Sequence, residues 1–106
     1  MTRLKIVPGA CGMDCTVCAG SEDGQMVSVI VDSPCPAISG MMQAIGNELD
    51  AYEVCLCRPG TGPLYDYARE NFPAHCACPV IAGITKCIEA ECGLALPRPV
   101  NMEFII

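Results

Sequence analysis

Thr16-Val-Cys-Ala-Gly-Ser-Glu22, then Asp23-Gly24, then Gln25-Met-Val-Ser-Val-Ile-Val31 is the stretch on which the fold turns. Its two arms are rich in β-branched residues and alternate apolar with small or polar side chains, the period of a strand with one buried face. The Asp-Gly between them tolerates positive φ, which suits the tight type I′ turn of a hairpin. Strands over 16–22 and 25–31 therefore pair antiparallel, and a sheet in so short a chain needs helices to cover one face.

Working outward, Leu4-Lys5-Ile6-Val7 alternates before Pro8-Gly9, so residues 3–7 read as a first strand. Downstream, Ser33 to Pro36 opens a helix whose apolar stripe is Ile38, Met41, Met42, Ile45 and Leu49. A second helix begins at Pro63, with Thr61 as its cap and Leu64, Tyr67, Ala68 and Phe72 inward. A third starts at Pro79, carries Val80, Ile81, Ile84, Cys87 and Ile88 on one face and stops at Gly93. After Leu96-Pro97-Arg98-Pro99, the alternating Val100-Asn-Met-Glu-Phe-Ile-Ile106 predicts a last strand. The expectation is one α+β domain over residues 1–106: a small, mainly antiparallel sheet of about four strands covered by about three helices, a two-layer sandwich.

An internal echo underlies this layout. Cys35-Pro-Ala-Ile-Ser-Gly-Met41 and Cys78-Pro-Val-Ile-Ala-Gly-Ile84 match in residue type at every position. Both spell the same device, a cysteine followed by a proline at the first position of a helix. That places each sulfur beside unsatisfied N–H groups and the positive end of the helix dipole, which favours a thiolate, the species that binds metals and attacks electrophiles.

Composition narrows the function. Six Lys and Arg against twelve Asp and Glu leave a net charge of −6, which repels phosphate backbones and disfavours nucleic acid. No run reaches the roughly 18 apolar residues of a membrane span, and the start Met1-Thr-Arg-Leu-Lys lacks a secretory apolar region, so a soluble, cytoplasmic protein is expected. Ten cysteines in 106 residues would suggest a disulfide scaffold in an oxidising compartment. In a reducing one, metal ligation or thiol chemistry is the better reading.

The densest cysteine constellation is Cys11-Gly-Met-Asp-Cys15-Thr-Val-Cys18. Three sulfurs from one loop can ligate three irons of a cubane cluster, with Cys35 or Cys78 supplying the fourth ligand. The alternative is that Cys15 and Cys18 simply pack along a strand. The same eight residues resemble the cluster motif of radical S-adenosylmethionine enzymes, although 106 residues are too few for the large partial barrel of that family.

Two Cys-x-Cys pairs, Cys55-Leu-Cys57 and Cys76-Ala-Cys78, would each present two sulfurs on one side of extended backbone. Cys76-Ala-Cys78 is the stronger pair because it runs into a helix start, whereas Cys55 and Cys57 can equally be small loop hydrophobes. His75 is the one histidine and, three residues before Cys78, reads as a ligand, a proton donor near the thiolates or a surface or capping residue, the last being preferred. Cys87 and Cys92 lie about 140° apart around one helix and do not share a metal, so Cys87 reads as core.

Thiolate-rich sites select iron–sulfur clusters or zinc. Zinc sites usually carry two Cys-x-x-Cys knuckles, and only Cys15 to Cys18 has that spacing, so iron–sulfur leads. Phosphate loops, nucleophile elbows and His-Glu-x-x-His are absent. The expected function is a non-catalytic or electron-handling metal-binding protein, with ligands among Cys11, Cys15, Cys18, Cys35, Cys76 and Cys78. The alternative is a sulfur-transfer protein that carries a persulfide on Cys78, and either reading implies a redox or sulfur-transfer protein partner.

Pro8-Gly9-Ala-Cys11-Gly12, Asp32-Ser-Pro-Cys35-Pro36, His75-Cys-Ala-Cys78-Pro-Val80, Lys86-Cys-Ile-Glu89 and Gly93-Leu-Ala-Leu-Pro97 together carry a resemblance spanning nearly the whole chain. It is to a family of short uncharacterised proteins of methanogens and other strict anaerobes, which brings no established activity. The resemblance implies that Cys11, Cys35 and Cys78 are the recurring thiols and shifts weight toward a site built from them. A second, local similarity joins Cys78-Pro-Val-Ile to the Cys-Pro-x-Pro signature of small sulfur-carrier proteins, with Ile81 in place of the second proline.

Overall fold

The computed structural model describes residues 1–106. Four strands, β1 (Thr2–Ile6), β2 (Cys15–Gly20), β3 (Met26–Asp32) and β4 (Glu48–Asp50), form one antiparallel sheet in the order β1-β2-β3-β4. Helices α1 (Pro36–Ile45), α2 (Ala51–Cys55), α3 (Pro63–Asn71) and α4 (Val80–Glu91) complete an α+β fold. No helix is long and apolar enough to cross a membrane.

Alternation decides which face the helices cover. Cys15, Val17 and Ala19 of β2 and Val27 and Val29 of β3 are buried, while the residues between them are not. Above this face, α4 lies over β1 and β2, and α1 lies over β3 with α3 against it. Ile38, Met41, Leu64, Ile84 and Ile88 fill the space between the layers. Each fully buried apolar side chain contributes about 1.5–3 kcal/mol. Gly83 lets α4 approach the sheet: a Cβ there would lie 2.7 Å from Cγ1 of Ile6.

The echoed segments both open helices and both bury their apolar positions, Ile38 and Met41 in α1, Ile81 and Ile84 in α4. Their frames differ by one residue. The Cys35 carbonyl accepts from Ser39 N–H, so Cys35 is the cap of α1 and Pro36 its first residue. The corresponding bond in α4 runs from Gly83 N–H to the Pro79 carbonyl, so Pro79 is the cap and Cys78 stands one residue outside the helix.

Several expectations are corrected. The hairpin pairs as expected, but only Gly24 has positive φ, so the turn is not type I′. Ser21 to Gln25 instead form a longer loop held by side chains. Asp23 Oδ1 accepts from the N–H groups of Gln25 and Met26, and Ser21 Oγ accepts from Gly24 N–H and donates to the Met26 carbonyl.

Leu49 does not extend the first helix, because Gly46 ends it and Leu49 enters β4. The short α2 raises the helix count to four; its cap is Asp50, whose side chain accepts from Tyr52 N–H. Thr61 does not cap α3, whose cap residue is Gly62. Residues 100–106 form no strand: they pair with nothing, and Phe104, Ile105 and Ile106 are fully exposed. The fourth strand is β4.

Candidate functional site

One end of the sheet collects sulfur. There β1 ends at Ile6, β2 begins at its register partner Cys15, and β3 ends at Asp32, opposite Thr16. The chain leaving β3 reaches Cys35 within three residues, and α4 enters over Ile6, bringing Cys78 to the same end. Three elements distant in sequence thus deliver Cys15, Cys35 and Cys78 to one neighbourhood.

The electrostatics of Cys15 register that neighbourhood. Its residue is only 3% exposed. Burial pushes its thiol pKa up, and the sulfur of Cys78, the carboxylate of Asp14, the sulfur of Cys35 and the carboxylate of Asp32 act in the same direction. Burial and these neighbours all disfavour a thiolate at Cys15. A bound cation would offset this, since a metal inverts the local preference and deprotonates its ligands.

The remaining members of the expected set are placed unequally. Cys11 is exposed in the loop of residues 7–14 that joins β1 to β2 at this end, and Cys76 is exposed two residues before Cys78. Cys18 lies three residues along β2 from Cys15, paired with Arg3 and Ile30, and so belongs to the opposite face of the sheet. The Cys-x3-Cys-x2-Cys string is therefore not one loop: its last two sulfurs are separated by the sheet.

Cys35 packs against the core and its sulfur makes no cap hydrogen bond to α1. As placed, no group of three His, Cys, Asp or Glu side chains stands close enough to hold a metal ion.

Other thiols are occupied elsewhere. Cys87 is 1% exposed beneath β1 and β2, and its sulfur donates to the Thr2 carbonyl. Burial, with Cys18 and Glu91 adding, pushes it up to about 11. Cys55 ends α2, donates to the Thr85 carbonyl, and is pushed up to about 12 by burial, then by Glu89, Cys92 and Cys57. Because α2 is helical there, Cys55 and Cys57 do not form the expected extended pair. All ten cysteines are free thiols.

A groove of about 550 Å³ adjoins the thiol end, lined by Tyr65, Phe72, His75, Cys76, Cys78 and Ile81 among others. His75 is exposed on its rim. A larger cavity of about 630 Å³ opens near Ser21, Asp23, Glu48 and Glu91. It contains no cysteine. Its Asp23 and Glu91 carboxylates are committed to hydrogen bonds, Glu91 to Thr2 Oγ1 and Ser21 N–H. Of the two, only the smaller groove is lined by cysteine. Cys15 shares the buried phase of Val17 and Ala19 on the covered face. Asp14 and Asp32, adjacent to Cys15 and to the Ser33-Pro34-Cys35 turn, add negative charge beside Cys15.

With its thiols and their surroundings placed, the chain can be compared with known proteins. The chain belongs to the family of unknown function DUF6951. The match runs over residues 2–104, so the sheet, the four helices and every cysteine of this DUF6951 member fall inside it. No curated protein and no solved structure matches the chain.

Proposed function

We propose that the protein binds a metal centre through cysteine, an iron–sulfur cluster or otherwise zinc, with Cys15, Cys35 and Cys78 as the ligands contributed by the fold. The observation that carries the reading is the convergence of these three sulfurs from β2, the entrance of α1 and the entrance of α4 at one end of the sheet. An all-thiol donor set selects iron–sulfur or zinc over oxygen-seeking cations. Cys11 and Cys76, on adjacent loops, are the available fourth ligands, and Cys18 leaves the set. When bound, the centre supplies electron transfer if it is a cluster and a structural clamp if it is zinc. The chain's own part is to shield the centre with the apolar side chains packed around Cys15 and to keep water out on the covered face. A reducing compartment, the cytoplasm, keeps ten thiols free.

Anaerobic purification of the wild type and of Cys15→Ser, Cys35→Ser, Cys78→Ser and, as controls, Cys57→Ser and Cys92→Ser tests this. Iron, acid-labile sulfide and zinc per chain should fall for the first three only. Trace metal in the wild type, or equal loss in the controls, contradicts it.

The groove beside Cys78 favours a second reading, a persulfide carrier. In that chemistry the Cys78 thiolate attacks the terminal sulfur of a donor protein's persulfide, the donor's thiolate leaves, and Cys78 keeps the sulfur. The apolar lining from Tyr65, Phe72 and Ile81 would receive the donor segment. Mass spectrometry after incubation with a persulfide donor should then find one added sulfur on Cys78, and metal-loaded protein with Cys78 unmodified argues against it.

A further inference from the structure

All four helices cover one face of the sheet, and the other face is bare. Arg3 and Lys5 of β1 point from it at one edge, and Glu48 and Asp50 of β4 stand at the other. Arg3 and Lys5 form no ion pair within the chain, whose ion pairs are Met1–Glu91, Arg69–Asp66 and Lys86–Glu89. Glu48 is likewise unpaired and exposed.

Register places these charges at diagonal corners. Arg3 is level with Cys18 and Ile30, and Lys5 lies beyond it toward the start of β2. Glu48 is level with Ser28, and Asp50 lies further toward the hairpin loop, level with Met26. Between the corners lie Cys18, Gly20, Ser28 and Ile30, with Ile30 61% exposed, while Met26, 46% exposed, stands beside Asp50 at the acidic corner. Asp32, the remaining charge of the strands on this face, stands two strands from Lys5.

We propose that this face is an interface between two copies of the chain, each copy's Arg3 and Lys5 meeting the other's Glu48 and Asp50. A two-fold axis lying between the facing sheets and perpendicular to the diagonal sets each basic corner over an acidic one and closes the apolar centre on itself. A patch that is its own complement in this way is the requirement of an isologous dimer. Strand spacing and rise give a footprint of about 400 Å² per copy. That is the range of a weak, reversible interface, so association is expected at tens of micromolar or above.

Sedimentation velocity of the full chain under reducing conditions, over a concentration range of about a hundredfold, reads the association. Arg3→Glu alone and Glu48→Arg alone should each weaken it at least about tenfold, because each places like charges opposite one another. Mixed in equal amounts, the two variants should associate again, since every contact in the mixed dimer joins opposite charges. Asp50 is left unaltered because it caps α2. Circular dichroism and thermal unfolding establish that both variants fold. A wild type that stays monomeric throughout, a dimer that neither reversal weakens, or a mixture of folded variants that fails to associate each overturns the proposal.

Discussion

Alanine at Gly83 should destabilise this protein although alanine is the better helix former. In an open helix the change is worth about 1 kcal/mol of stability. Here the new Cβ would stand 2.7 Å from Cγ1 of Ile6, nearer still to its Cδ1, and 3.6 Å from Cδ2 of Leu4. Ile6 is 7% exposed and lies beneath α4, so its side chain must shift toward the cavity of about 430 Å³ that it lines with Leu4 and Gly83 to admit the methyl. Overpacking of this kind costs about 1–3 kcal/mol, offsetting the propensity gain and leaving a net loss of up to about 2 kcal/mol.

The echo supplies the control. Gly40 holds the matching position in α1, and its nearest neighbour would be Tyr67 Oη at 3.9 Å, so Gly40→Ala should stabilise by up to about 1 kcal/mol. Urea unfolding with unchanged m-values measures both, and Tm should move in opposite directions by roughly 4–8 °C per kcal/mol. Stabilisation at both positions would refute the close approach of α4 to β1. Because Ile6 pairs with Cys15, the same displacement should also weaken metal retention.

Further outcomes follow from the hydrogen bonds and the thiols. Glu91 ties Thr2 and Ser21 to α4, and those bonds, with the amino terminus, hold its carboxyl below the usual range. A depressed carboxyl stabilises the fold above its unfolded pKa and loses that contribution as pH falls through the folded one. Glu91→Gln should therefore cost about 1–2 kcal/mol at neutral pH, and urea unfolding at a series of pH values should show the difference closing in acid. In metal-free, reduced protein, Cys11, Cys57 and Cys76 should be alkylated first and Cys87 and Cys55 last, followed by peptide mass spectrometry. Modification of Cys87 as fast as Cys76 would mean that its burial is wrong. Asp50→Ala should cost about 1 kcal/mol by removing the cap of α2, measured by thermal unfolding.

The hairpin was legible because alternation over 16–31 is long and one-sided, and the helices because their apolar stripes follow proline starts. Failures trace to competing local chemistry. Asp23 and Ser21 bind backbone groups and so widen a turn that Asp-Gly alone would have made tight. Leu49 continued the helical stripe by spacing, but Gly46 had already ended the helix. The short α2 did carry a signal, Asp50-x-x-Glu53 at its start. The terminal 100–106 shows that alternation is only half a strand: residues 99–102 line a cavity beside the free edge of β1 without pairing to it, and the last residues stay exposed.

Within the site, the repeated Cys-Pro pointed to Cys35 and Cys78 because a helix entrance is a local property. Choosing among Cys11, Cys15 and Cys18 depended on the phase of β2 against the helices. Only the packed sheet settles that phase, which places Cys15 inward and Cys18 outward.

The sharpest test of the central claim is X-ray absorption at the metal edge of anaerobically purified protein, compared with Cys15→Ser. Convergence of Cys15, Cys35 and Cys78 on one centre predicts a first shell dominated by sulfur at about 2.3 Å, diminished in the variant. A shell of nitrogen and oxygen, or a sulfur shell that Cys15→Ser leaves intact, would contradict it.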